Sequence, residues 1–363
     1  MKNIFIILFS LILYTSDNIC AQDKDTWTAI WNKDSTLVGY KNKAGVTKIE
    51  PKFTPFFSAN KFEHIIAVTE ETEGKWNSYY LTKKGKIIGR DSLHVFDNGY
   101  DCESEGFIRF RDPKTDKTGL FNQEGTIVVP AEYNELTRVN NGMVIALKGA
   151  EKKIMDGGEH YSYAGGEELL IDTQNKVLVA PFAYDTNINF FSVERSKAPS
   201  VDKIRDSFLG KDGSYYSFIN FEKEFKEWFT NDLIVSLTHQ KLIAASMDTI
   251  TWESKDGWAK TNRKMFITDN FELLKKAFEE VASPKCDSFI TSDGLNPFMF
   301  GGPEYERYFN NCNEAKQWQY PTMSIIVNHP NKKNNSQNNY TFLRTENGYK
   351  LITVTIRDEN IKG

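Results

Sequence analysis

Gly45, Gly85 and Gly125 stand 40 residues apart, each closing a short polar string: Asn42-Lys-Ala-Gly, Thr82-Lys-Lys-Gly and Asn122-Gln-Glu-Gly. An apolar or aromatic stretch precedes each glycine (Val38 to Tyr40, Tyr79 to Leu81, Gly119 to Phe121), and a β-branched stretch follows it. The pattern reads as strand, tight turn, strand, repeated along the chain. A strand pair of this size cannot bury its apolar face alone. Neighbouring units must therefore stack on a shared core.

A fourth copy follows at Leu169-Leu-Ile-Asp-Thr-Gln-Asn175-Lys-Val-Leu-Val-Ala-Pro181, with Asn175 in the glycine position. Asparagine is the usual substitute where φ must be positive. The interval widens to 50 residues there, consistent with an insertion around Asp156-Gly-Gly-Glu-His and Ala164-Gly-Gly. A degenerate fifth unit is expected at Lys211-Asp-Gly213. In the best-formed copies the second strand ends in Pro51, Pro130 or Pro181, with Phe53, Tyr133 or Tyr184 close behind. Proline stops the ladder and redirects the chain. A period near 40 also suits a propeller with four strands per blade; an open or partly closed array of antiparallel hairpins is preferred.

These strings resemble the WG repeat. The nearest copy runs Thr118-Gly-Leu-Phe-Asn-Gln-Glu-Gly-Thr-Ile-Val-Val-Pro-Ala-Glu-Tyr133, with Gly142-Met-Val-Ile-Ala-Leu147 as its later strand. The first copy, Val38 to Phe53, is similar. The tryptophan of the family pattern is missing from every copy, with Ser78 and Thr118 among its replacements. The resemblance covers residues 36–216, after a lead at 22–35, and implies a β-rich interaction scaffold with no catalytic residues to carry over.

From Phe218 the pattern changes. Phe221, Phe225, Trp228 and Phe229 line one helical face among charged residues. A second helix is expected from Leu233 to Ala245, a strand from Thr249 to Glu253, and a third helix opening on the capping box Asp269-Asn-Phe-Glu272. Asn347-Gly348 between alternating stretches predicts a hairpin. The fold class expected is α+β and multidomain: an all-β hairpin array, then at 217–363 a smaller domain with helices packed on a curved antiparallel sheet. Its element order resembles the cystatin-like cones related to nuclear transport factor.

Lys2, an apolar run of 11 residues from Ile4 to Tyr14, and the ending Cys20-Ala21-Gln22 have the layout of a signal peptide over 1–21. A membrane span needs ~20 apolar residues, so cleavage near Ala21 and export are expected, with no transmembrane segment afterwards. The short leader and a composition rich in Lys, Asn, Ile and Phe point to a bacterial envelope: periplasm, cell surface or medium. An oxidising compartment permits a disulfide, and Cys286 with Cys312, in one irregular stretch, is the expected pair, leaving Cys102 free as a small strand residue.

A net charge of −4 without basic clustering implies no nucleic-acid partner. Five histidines and three mature-chain cysteines show no metal-ligand spacing, and no cofactor is implied. Asp287-Ser288 and Asp293-Gly294 are read as turns, because they lack alternating calcium ligands. His239 with Asp248 or Asp256 could form an acid–base pair, and Trp252, Trp258, Trp318 and Tyr320 could stack on sugars, but solvated and core roles fit these residues better. Residues 328–339 should form a polar hairpin loop, with Lys332-Lys333 too short for a nucleic-acid patch; Asn334 and Asn339 would be sequons only in a eukaryote. No catalytic signature is present. The expected role is a non-enzymatic scaffold binding an unknown protein or envelope polymer. The alternative is a C-terminal cone that binds or transforms a small molecule, with the repeats as tether.

Overall fold

The computed structural model describes residues 25–55, 58–96, 99–155, 160–183, 185–329, 336–357 and 361–362. The expected signal peptide lies outside the described residues, as do Tyr184, Lys332, Lys333 and Asn334. Strand makes up 49% and helix 13%, so the chain is mostly β.

All five turn positions share one geometry. The N–H of Gly45, Gly85, Gly125, Asn175 and Gly213 donates to the carbonyl three residues earlier, on Asn42, Thr82, Asn122, Asp172 and Gly210. The positive-φ residue is Gly45 (80°), Gly85 (83°), Gly125 (67°), Asn175 (64°) or Gly213 (78°). In the first four turns a side-chain oxygen of the opening residue also accepts the amide of the residue four later. Asn, Thr and Asp recur there because a short side chain with an acceptor oxygen can fold back on its own turn.

The copies also share register, with one instructive variation. Tyr40 faces Ile49, Leu120 faces Val129 and Leu170 faces Val179, each beside a β-bulge. In the second copy Tyr80 instead pairs with Ile88 without a bulge. Gly39 and Gly119 show what the bulge demands: a Cβ on either would come within 2.3 Å of the Ile49 carbonyl oxygen or 2.6 Å of that of Val129. Proline is tolerated within the strands Thr47–Phe53 and Ile127–Tyr133 because it falls at this irregular ladder.

The sheets stack with both faces covered. Along strand Ile65–Thr72, Ile66 and Val68 enter one core with Tyr40, Phe53 and Tyr79, whereas Ile65 and Ala67 enter the next with Tyr80, Phe110 and Phe121. Along Met143–Lys148, Val144 and Ala146 meet Leu120 and Tyr133, whereas Met143 and Ile145 meet Phe182, Phe190 and Phe218. Side chains of a strand alternate between faces, so one strand serves two cores. That is why these segments read as unbroken apolar runs. The lead supplies the strand Trp27–Trp31, paired with Val38–Lys41.

The fifth hairpin's strand Tyr215–Asn220 runs straight into helix α1, Phe221–Glu227, which the Asn220 side chain caps. A π-helical turn, Trp228–Leu233, and helices α2, His239–Ala244, and α3, Arg263–Val281, follow. Helix α2 is shorter than expected because Thr238 caps it. Helix α3 opens at the Asn262 cap, placing Asp269 in mid-helix rather than at its start. These helices cover one face of a six-stranded sheet in which Ser246–Ser254 and Gly348–Thr355 run parallel, correcting the all-antiparallel expectation. Phe225, Phe229, Phe278, Tyr340, Phe342 and Tyr349 fill the space between.

Residues 294–321, between the strands Ser288–Asp293 and Thr322–His329, form a strap. It packs Leu295, Phe300, Tyr305 and Tyr308 on the sheet's other face, against Leu343 and Ile352, and also reaches the repeats. The Asn311 carbonyl accepts from the Lys61 amide at 3.1 Å. Arg138 pairs with Glu314. Trp318 lies edge-on to Phe190, ring centroids 5.3 Å apart. A disulfide joins Cys312 to Cys102, not to Cys286, which carries a free thiol. The expectation from proximity in sequence fails because the strap carries Cys312 away from Cys286 and onto the repeats.

Candidate binding cleft between repeat turns

The junctions between successive repeats differ. Between the second and third copies, Ile88 packs on the Gly125 backbone, and Lys86 Nζ donates to the carbonyl oxygens of Glu124 at 3.2 Å and Gly125 at 3.0 Å. Between the fourth and fifth, the Lys211 amide donates to the Leu178 carbonyl at 2.9 Å. Between the third and fourth, the positions of Lys86 and Ile88 hold the smaller Thr126 and Val128. There a cleft of about 460 Å³ remains open.

Its lining comes from Glu105 to Phe107, the third turn (Asn122, Gln123, Glu124), Val128, and the fourth turn (Thr173, Gln174). Phe107 and Val128 are half-buried, whereas Glu105, Gln123, Glu124 and Gln174 are exposed. Thus apolar carbon lies among carboxylates and carboxamides, and the lining includes no lysine or arginine. Glu105 is fixed by accepting the amides of Asn141 at 2.6 Å and Gly142 at 2.8 Å. Beside the cleft, Tyr133 donates to Asn175 Oδ1 at 2.7 Å, and the Asn175 amide donates to Glu132 at 3.0 Å, tying the third repeat to the fourth.

A buried ionic network joins the second and third copies to the strap. Asp101 is within hydrogen-bond reach of Arg109 Nη2 at 2.7 Å and Arg138 Nε at 2.9 Å, and accepts the Arg109 amide at 2.8 Å. Burial alone would raise the Asp101 pKa, but Arg109 and Arg138 hold it well below the usual carboxylate range. Glu135 behaves likewise: burial opposes its charge, and His94, Arg109 and Arg111 lower its pKa overall. Residues spread over the second and third copies and the strap meet here, and no sequence spacing announces them.

Glu63, His64 and Glu103 bring one donor atom each within 4.8 Å of one another, a set the sequence did not reveal. Glu103 already accepts the amides of His64 at 2.9 Å and Ile65 at 3.0 Å and bonds the His64 ring, which accounts for the arrangement. The sequence candidates downstream are dispersed. His239 Nε2 lies 3.0 Å from Thr268 Oγ1, and Asp248 pairs with Arg263 at 3.1 Å. Trp252 is buried in the helix-sheet core, Trp258 is exposed, Trp318 packs on the fourth repeat's core, and Tyr320 donates to Glu346 at 2.9 Å.

The hairpin carrying the third turn matches a known repeat family. Residues 119–150, from Gly119 through the turn and past the later strand, match the family model described as WG containing repeat. The chain contains a WG repeat. No curated protein matches the chain. The matched WG repeat supplies Asn122, Gln123, Glu124 and Val128 to the cleft, and the turn after it supplies the rest of the opposite wall. No described helix is long and apolar enough to cross a membrane.

Proposed function

We propose that this is an exported, non-enzymatic binding scaffold of the cell envelope, in which the WG-type turns form the recognition surface for a protein or envelope polymer. The observation that carries this reading is the cleft of about 460 Å³ between the third and fourth turns, each of which is closed by a side-chain oxygen of its own opening residue. Concave sites with a few positioned polar groups are where ligands bind. The Cys102–Cys312 disulfide supports an oxidising compartment. The aromatic filling between helices and sheet favours the scaffold over a catalytic cone.

The test places a photo-crosslinking amino acid at Gln174, on the cleft, and at the fully exposed Val201 as control. A discrete partner captured from Gln174 and not from Val201 is the expected result. Equal capture at both positions, or a turnover abolished by changing one polar residue of the C-terminal region, would refute the proposal.

A further inference from the structure

Resting on the scaffold reading, we infer that the cleft between the third and fourth turns binds a lysine side chain of a partner polypeptide. The second repeat shows what such a junction takes. There Lys86, from the strand side, lays its ammonium on the carbonyls of the next turn, Glu124 and Gly125, beside Ile88. One repeat later the same sequence position is Thr126, too short to reach the following turn, and Val128 replaces Ile88. At this junction the cleft opens beside Val128 and Gln174, the counterparts of Ile88 and of Glu124, one of the two residues whose carbonyls accept the Lys86 ammonium.

The lining suits the same occupant arriving from outside. Phe107 and Val128 offer apolar surface for a four-methylene stem, and the exposed Glu124 offers a carboxylate for its head, with the negative charge of Glu105, whose oxygens accept the Asn141 and Gly142 amides, alongside. With no basic residue in the lining, an incoming ammonium meets no like charge. Phe107 is the single aromatic of the lining and is half-buried, which leaves an amino sugar little ring face to stack on and makes it the poorer fit.

The experiment uses the purified mature protein and a fluorescent Gly/Ser peptide with one central lysine, its Nε-acetyl-lysine counterpart, and a chitosan oligosaccharide. The lysine peptide should bind, and acetylation should weaken it at least about tenfold, because the charge is what the site reads. Glu124→Gln should weaken it about two- to fivefold, as loss of an exposed ion pair does. Thr126→Lys should abolish binding by supplying the internal ammonium found one repeat earlier. Acetylation without effect, unchanged binding by Thr126→Lys, or binding of chitosan in place of the peptide would each overturn the inference. The acetylated peptide keeps the test decisive on unaltered protein. Capture of a partner from Gln174 together with failure of the lysine peptide would sink the lysine assignment and leave the scaffold standing. Peptide binding with equal capture at Gln174 and Val201 would keep the ammonium site and refute the scaffold reading.

Discussion

Asp101→Asn removes one charge from the buried network while keeping the side-chain volume. The Asp101 side chain is 1% exposed and holds two guanidiniums, so the variant leaves Arg109 and Arg138 facing an amide. Breaking a buried pair typically costs about 3–5 kcal/mol. Here the lower end is expected, about 3 kcal/mol, because Arg109 keeps the Leu136 carbonyl and Arg138 keeps Glu314. Urea unfolding followed by tryptophan fluorescence, with the disulfide intact, measures the difference. Its pH dependence has a fixed sign. The folded pKa lies below the unfolded value, so the stabilisation is full above the unfolded pKa of ~3.9 and is lost as pH falls below it. The gap between wild type and variant should be flat from about pH 5 to 8, then shrink by about 1.4 kcal/mol per unit below ~3.9. The exposed Asp116→Asn, which loses contacts to Lys152 and Arg111, should stay within about 1 kcal/mol. A gap for Asp101→Asn under about 1 kcal/mol at pH 7, or one unchanged at pH 2, would refute the argument.

Gly119→Ala should destabilise more than Gly45→Ala, since its Cβ would meet the Val129 carbonyl and the Phe110 ring, whereas Gly45 meets only the left-handed strain of about 1–2 kcal/mol; thermal melts of the two variants compare them directly. Replacing Cys102 and Cys312 together by serine opens a loop with a sequence separation of 210 and should lower stability by about 2–5 kcal/mol, with new protease cleavage inside 294–321. If that variant melts and digests like wild type, the strap is held by its other contacts alone. Cys286→Ser, the pair member expected from sequence, should leave both measurements unchanged within about 0.5 kcal/mol.

The sequence by itself determined the repeat. A glycine or asparagine at a fixed offset, a short acceptor side chain three residues before it and apolar runs on either side are local demands of one turn and two strands. They are legible wherever the backbone, rather than a distant partner, sets the residue. The hairpin across Asn347-Gly348 and the aromatic face of α1 belong to the same class. The start of α3 is not legible in the same way, because Asp269 and Glu272 mimic a capping box inside a helix that begins at Arg263.

Only the tertiary structure decided the rest. Cys312 pairs with Cys102 because the strap lies on the repeats, and no spacing encodes a contact 210 residues apart. The same crossing brings Glu314 to Arg138 and Trp318 to Phe190. The cleft is the subtlest case. Thr126 and Val128 are visible in the sequence as smaller than Lys86 and Ile88. That this leaves an open site depends on how the third repeat stacks on the fourth, a property of the shared core and not of either turn.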